Sequence, residues 1–231
     1  MSRRSTPRAG VIDRMLALYG HLFSSYTWKA LIPLYANGTE FEFREIGPNG
    51  SEEANAFVHA AHPAGKFPIL RDGETTVIEA TAIIEYLAIR HPGSAPLIPS
   101  DPGQAAQARM IDRVFDNYVM HNATEVVICH IVSPDAPDQD AIVAAKERLV
   151  RAYRWLEDWL GANDFGPHVS LLSCAAAPSL FYGDWIEQIP EDCPRLRDLR
   201  AELLVLEAVR LCIDAARPYR ELFPPGAPDR D

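Results

Sequence analysis

The sequence is poor in cysteine, in basic charge and in long apolar runs, and each shortage closes a class of function. Its four cysteines, Cys129, Cys174, Cys193 and Cys212, are scattered over the second half of the chain with no C-x-x-C pair. Neither a disulfide-stapled secreted framework nor a dithiol redox motif has that pattern, so reduced thiols in a cytoplasm are expected. Lys and Arg number 22 against 32 Asp and Glu, a formal net charge of −10. A nucleic-acid partner requires a basic face that displaces counterions from phosphates, and none is expected here. Arg3, Arg4, Arg8 and Arg14 cluster near the start. No apolar run of about 7–15 residues follows them, as a secretory signal requires, so residues 1–14 are expected to form a solvated tail. No stretch reaches the roughly 18 apolar residues that span a bilayer, and no membrane association is expected.

What is present is a globular composition, 48% hydrophobic and 23% charged over 231 residues. That length suits two domains with separate cores. A short apolar run at 16–19 reads as a strand, and Ser24, Ser25 and Thr27 then offer hydroxyl caps before an apolar helix at 28–35. Pro33 is expected to bend that helix and Asn37-Gly38 to end it. Apolar residues mostly alternate over 41–46, a second strand, and an Ala-rich helix candidate covers 51–61. Two β-prone runs, 67–70 and 75–78, flank Asp72-Gly73, a hairpin signal. Ile83, Tyr86, Leu87 and Arg90 then fall at helical spacing, closed by His91-Pro92-Gly93. The order is βαβαββα.

Beyond a Pro/Gly/Ser-rich linker at 93–102 the pattern is all helix. Ala108, Ile111, Phe115 and Tyr118 share one face, and Ile142, Ala145, Leu149, Ala152, Leu156 and Trp159 share another. Helices are expected over 170–187 and 194–216, followed at 218–231 by a proline-rich tail, ordered or loose rather than helical. The expected division is an α/β domain over 15–92 and an all-helical domain, tail included, over 103–231.

The segment Lys66-Phe67-Pro68-Ile69-Leu70, the Asp-Gly turn, and Glu79-Ala80-Thr81 opening a helix resemble the ligand-binding half of cytosolic glutathione S-transferases. The resemblance runs over nearly the whole chain and implies a thioredoxin-like βαβαββα domain followed by the family's all-helical domain. It also implies a soluble cytoplasmic homodimer that uses glutathione as cosubstrate and needs no metal. Lys66, Phe67, Pro68, Glu79, Ala80 and Thr81 are the implied glutathione-binding residues. In the family the proline is cis and leaves the preceding backbone free to pair with a peptide ligand, as an added strand would. The helix N-terminus takes the γ-glutamyl carboxylate. Read without the family, Pro68 starts a strand and Glu79 is a helix-start carboxylate.

Ser24-Ser25-Tyr26-Thr27-Trp28 is similar to the Ser-Ser-Cys-x-Trp of zeta-class members, with Tyr26 in the place of the cysteine. The match implies that Ser24 binds the glutathione sulfur with Ser25 and Tyr26 close by, a hydroxyl and a helix end together favouring thiolate. Without the family the two serines read as N-caps. Phe23, Tyr118, His121 and Asn122 are the expected pocket for the second substrate. His121, Glu125 and Cys129 lie four apart, a metal-like stripe that has no partner ligands at matching spacing. The family carries Glu-Ser or Gln-Ser where Glu79-Ala80 stands, and an aspartate where Ser173 stands. The end of the chain, from Glu207 to Asp231, resembles a bacterial subgroup related to the eta class that also tends to carry Glu-Ala.

Two classes of function follow. One is an enzyme that activates the glutathione thiol for conjugation to, or cis–trans isomerisation of, a small electrophile. The other is a non-catalytic binding or assembly module, for which Ala80, Tyr26 and Ser173 are the departures to be expected. A disulfide reductase is disfavoured because no cysteine lies near Ser24.

Overall fold

The computed structural model describes residues 15–231; the expected tail at 1–14 lies outside them. Strand β1 (Ala17–Gly20), helix α1 (Ser25–Ala36), β2 (Glu42–Glu45), α2 (Glu52–Ala61), β3 (Ile69–Asp72), β4 (Thr75–Ile78) and α3 (Ala80–Arg90) follow in the expected order. The sheet order is β2-β1-β3-β4. Strand β1 runs parallel to β2, with Leu18 opposite Phe43, and antiparallel to β3, with Leu18 opposite Leu70. The β3–β4 hairpin pairs Leu70 with Val77 around the Asp72-Gly73 turn.

Because strand side chains alternate between faces, the sheet divides its apolar residues between two layers. Leu18 and Leu70 pack with Trp28, Leu31 and Ile32 of α1 and with Ile83 and Ile84 of α3, in a core continuous with the helical domain. Tyr19 and Ile69 face the other way, against Ala54 and Val58 of α2. Helix α1 is capped by Ser24 and continues through Pro33 to Ala36. It packs on α3 and on two helices of the second domain, which is why its buried residues run almost without interruption.

The helical domain begins at α4 (Pro102–Val114), capped by Asp101, and continues through a π-helical stretch, Phe115–Met120, into α5 (His121–Val132). The long amphipathic α6 (Gln139–Leu160) and the buried α7 (Leu171–Ile186) follow. Ser173 accepts a hydrogen bond from the Ser170 N–H at 2.8 Å, so the hydroxyl serves as the reciprocal cap at the start of α7 where the family has a carboxylate. The single helix expected over 194–216 is two, α8 (Pro194–Leu204) and α9 (Glu207–Ala216), broken at the extended Leu206. The apolar phase explains the break. Leu196, Leu199 and Leu203 make one stripe, and the next buried residues, Ala208 and Val209, fall out of step with it. A 3-10 turn, Arg217–Leu222, leads into the last residues.

The two domains meet at a buried ion cluster. Lys29 of α1, only 1% exposed, places Nζ 2.5 Å from Asp112 Oδ1 and donates to Asp116 Oδ2 at 2.7 Å. It also donates to Thr81 Oγ1 of α3 at 3.0 Å, and the Thr81 hydroxyl donates to Asp112 Oδ2 at 2.9 Å. Arg113 closes the cluster, 2.5 Å from Asp112 and 2.6 Å from Asp116, and reaches Thr81 as well. Two cations thus balance two carboxylates, with Lys29 and both carboxylates buried and Arg113 half exposed at the rim. Removing one partner of such a cluster strands buried charge, at a cost of about 3–5 kcal/mol. Lys29→Ala is expected to lower the unfolding free energy in urea by about that amount, and Asp116→Asn added to it is expected to recover part of the loss.

Candidate active site

The turn between β1 and α1 is held from three sides. Trp28 Nε1 donates to the Leu22 carbonyl at 2.7 Å, Tyr182 Oη of α7 donates to the Phe23 carbonyl at 2.9 Å, and the Ser24 N–H donates to the His21 carbonyl at 3.0 Å. Gly20 is required because a Cβ there would sit 2.6 Å from Thr27 Oγ1. This turn presents Ser24, whose Oγ accepts the Thr27 N–H at 3.3 Å as the N-cap of α1. With a lone pair used inward, the hydroxyl proton has no acceptor among the described residues and is available to an outside group. It sits where the helix end is positive.

Ser24, Ser25 and Tyr26 open into a cavity of about 450 Å³ between the domains. Phe23 and Phe67 line it from the sheet side. Burial, with help from the Asp116 carboxylate, pushes the Tyr26 phenol up to about 12, against the opposing pull of Arg113. The phenol therefore stays protonated near neutrality and can donate a hydrogen bond.

Phe67 precedes β3, and the Phe67-Pro68 peptide is cis. The turn and loop hydrogen bonds among the described residues use neither the N–H nor the C=O of Phe67. Lys66 beside it is exposed. Glu79, at φ 71°, is the non-glycine residue with positive φ among those described, a conformation that costs on the order of 1–3 kcal/mol. Its side chain is 72% exposed, with Oε1 3.5 Å from His62 Nε2. It gives α3 no side-chain cap, which leaves the first N–H groups of the helix open beside buried Ala80. The Thr81 hydroxyl, by contrast, is committed to the interdomain cluster.

The structure does not bring the expected second-substrate residues together. Phe23 lines the Ser24 cavity, whereas Tyr118, His121 and Asn122 line a different surface hollow with Arg148 and Trp155. The π-helical stretch is the cause. Widening one turn to i→i+5 bonding moves the inward stripe from Tyr118 to Val119, and Tyr118 stands 58% exposed. Met120, Ala123, Thr124 and Val127 face the cavity in place of those residues. Asn122 is buried but occupied, accepting from Arg148 Nε at 2.9 Å and donating to the Tyr118 carbonyl at 2.6 Å. His121 lies 3.6 Å from Glu125, which is also bound by Arg148. Among the described residues no group of three or more His, Cys, Asp or Glu is placed to hold a metal ion.

Residues 18–95 match the model of the glutathione S-transferase N-terminal domain. That match covers the α/β domain, and the chain as a whole has the glutathione S-transferase fold. Probable maleylacetoacetate isomerase 2 of Drosophila melanogaster is 24% identical to it over 188 residues, 78% of this chain and 80% of its own. The fold matches that of glutathione transferase F7 from Populus trichocarpa with a TM-score of 0.75, covering 87% of this chain and 98% of that one at 22% identity. A glutathione S-transferase of Methylobacterium radiotolerans, solved in complex with glutathione sulfonate, matches with a TM-score of 0.71 at 20% identity, covering 86% of this chain and 94% of that one.

Within this glutathione S-transferase fold, one part of the cavity wall was not anticipated. Leu222, Phe223 and Pro224 line it, brought there by the segment expected to be a tail. Of the two forms expected for that tail, ordered or loose, the structure has the ordered one, and the signal for it was an aromatic residue set among prolines.

Tyr26 supplies a pH test. Its folded pKa lies above the ordinary 10.0, so between pH 10 and about 12 the unfolded state loses this proton while the folded state keeps it, and stability falls as pH rises. Stability measured from pH 9 upward is expected to decline less steeply in Tyr26→Phe than in the parent. Parallel curves would place the Tyr26 phenol in water.

Proposed function

We propose that this chain is a glutathione-dependent enzyme in which Ser24 donates a hydrogen bond to the glutathione sulfur and stabilises it as thiolate. The observation that carries this reading is the placement of Ser24: inward lone pair used on Thr27 N–H, hydroxyl proton free, helix N-terminus behind it and an apolar cavity in front. The free backbone of Phe67 would pair with the tripeptide as an added strand. The open N-terminus of α3, at Ala80, would receive the γ-glutamyl carboxylate, with Glu79 near the ligand ammonium and Lys66 offering a cation to the glycyl end. Relatives named as isomerases and as transferases support a common first step, attack of a glutathione thiolate on a small electrophile.

The hydroxyl missing at Ala80 weakens this scheme without removing it, because the helix N–H groups remain. The departures at Tyr26 and Ser173 carry little weight for a non-catalytic module, since Tyr26 is still a donor at the cavity and Ser173 still caps α7. The proposal also includes a second copy of the chain as partner, docked on the face that exposes Tyr118 and Trp155. Trp155→Arg is expected to shift sedimentation toward monomer, and an unchanged mass would place the interface elsewhere.

Calorimetry with glutathione is expected to detect binding by millimolar concentration. Hydrogen bonds to charged groups contribute about 1.5–3 kcal/mol, so Ser24→Ala is expected to slow thiol addition about 10- to 100-fold and to move the pH profile of kcat/KM toward alkali. No binding at that concentration would refute the enzyme reading. Binding with unchanged turnover in Ser24→Ala would move the role to Ser25 or Tyr26.

A further inference from the structure

We infer that His21 is a positioning residue for Ser24, its ring nitrogen Nδ1 serving as the turn acceptor that aims the Ser24 hydroxyl at the glutathione sulfur. The role rests on the glutathione reading above and deepens it, naming the residue through which the sulfur's donor is held.

Two peptide units lead into Ser24, and each is held at both ends. In the unit between Leu22 and Phe23, the carbonyl accepts from Trp28 Nε1 at 2.7 Å and the N–H donates to His21 Nδ1 at 3.2 Å. In the unit between Phe23 and Ser24, the carbonyl accepts from Tyr182 Oη at 2.9 Å and the N–H donates to the His21 carbonyl at 3.0 Å. A peptide unit is planar and rigid, so a partner at each end fixes its tilt. On the carbonyl side the partners are two buried aromatic residues, kept in place by the core. On the N–H side both partners belong to His21.

The imidazole does here what an aspartate or asparagine side chain does in an Asx turn, where its oxygen takes the backbone N–H two residues on. A histidine differs in having a second nitrogen. Accepting the Phe23 N–H places the ring proton on Nε2, and Nε2 lies 3.9 Å from Glu45 Oε1 of β2. That same oxygen accepts from Tyr219 Oη at 2.7 Å, in the strap that follows α9, and the Tyr219 ring packs edge-on against the imidazole at 4.7 Å. The ring is thus held in its pose by β2 and the strap together.

These commitments separate positioning from proton transfer. His21 lines the cavity, yet one of its nitrogens is spent as an acceptor and the other carries the proton, so no lone pair remains to take the thiol proton from glutathione. What the ring can do is fix the turn. Without Nδ1 the Leu22–Phe23 unit keeps its carbonyl partner alone and is free to tilt, carrying the Ser24 Cα with it. The Ser24 Oγ cap on the Thr27 N–H survives such a tilt, so α1 stays formed while the hydroxyl proton loses its aim, and hydrogen bonds weaken steeply with misalignment. Phe67 and the N-terminus of α3 belong to other segments and keep their places.

The test separates the acceptor from the rest of the ring. Asparagine places its amide oxygen where Nδ1 stands and can close the same turn, whereas glutamine is one carbon longer and reaches toward Glu45 instead. Glutathione bound to each variant is titrated with alkali while its thiolate absorption is followed in the ultraviolet, and calorimetry with S-methylglutathione reads the peptide-binding half separately. His21→Gln is expected to move the thiolate titration about one pH unit toward alkali, a tenfold loss of thiolate in the acid limb, with S-methylglutathione affinity unchanged. His21→Ala, which removes the acceptor without a longer side chain, is expected to act as His21→Gln does, and His21→Asn to recover most of the shift. In a Ser24→Ala background, where the aimed hydroxyl is gone, His21→Gln is expected to add nothing. A parent-like titration in His21→Gln or His21→Ala, a shift in His21→Asn as large as theirs, or a full further shift on the Ser24→Ala background would overturn the inference. No binding of glutathione to the parent, or a parent-like titration in Ser24→Ala, would instead overturn the reading beneath it.

Discussion

The arrangement depends first on the ion cluster of Lys29, Asp112, Arg113 and Asp116 around the Thr81 hydroxyl. It draws on α1 and α3 of one domain and on α4 and the π-helical stretch of the other. Its contribution to net stability is small or negative against an apolar replacement, because burial holds the Asp116 carboxyl above its ordinary range even beside Lys29. What it supplies is geometry. Two cations and two carboxylates with directed hydrogen bonds accept one relative placement of the domains, whereas the aliphatic contacts around them tolerate sliding.

That placement decides where the cavity lies and what lines it. The Ser24 turn is pinned by Trp28 from within its own domain and by Tyr182 from the other. A small rotation between domains would therefore move the Ser24 hydroxyl and the aromatic wall together. The strap adds a third tie, from Tyr219 to Glu45. Helix α5 supplies the opposite wall in the phase that the π-helical stretch dictates. The same inserted residue that turns Tyr118 outward brings Met120 and Ala123 into position, so the cavity's apolar character is a consequence of a backbone irregularity as much as of composition.

Much of this was legible in the sequence. Short apolar and β-prone runs placed β1, β3 and β4, alternation placed β2, Asp72-Gly73 placed the hairpin, and hydroxyl caps placed the start of α1, because each is a local signal with a local cause. The order of elements and the Phe67-Pro68 and Glu79 segments pointed to the glutathione S-transferase fold. The π-helical stretch was not legible, since no residue type marks it and a regular 3.6 repeat predicts Tyr118 inward. The break between α8 and α9 was present in principle, as a change of phase between Leu203 and Ala208, but carried no glycine or proline to announce it. The interdomain cluster was invisible for a different reason: Lys29 and Asp116 are joined only by tertiary packing, and a lone lysine in an apolar helix reads as an exposed one.

The departures from the family pattern also acquire a physical relation to one another. Thr81, next to the missing serine hydroxyl, cannot replace it, because its own hydroxyl is used in holding the domains together. On the proposed reading, recognition of the γ-glutamyl end then falls to backbone N–H groups and the helix dipole, which are less directional than a hydroxyl. On the same proposed reading, activation of the thiol is a separate matter, assigned to Ser24 and to the N-terminus of α1 rather than that of α3. If that reading holds, the chain gives up ground-state affinity for glutathione while keeping the groups proposed to stabilise the thiolate, and the cost then falls on KM while the chemical step is spared.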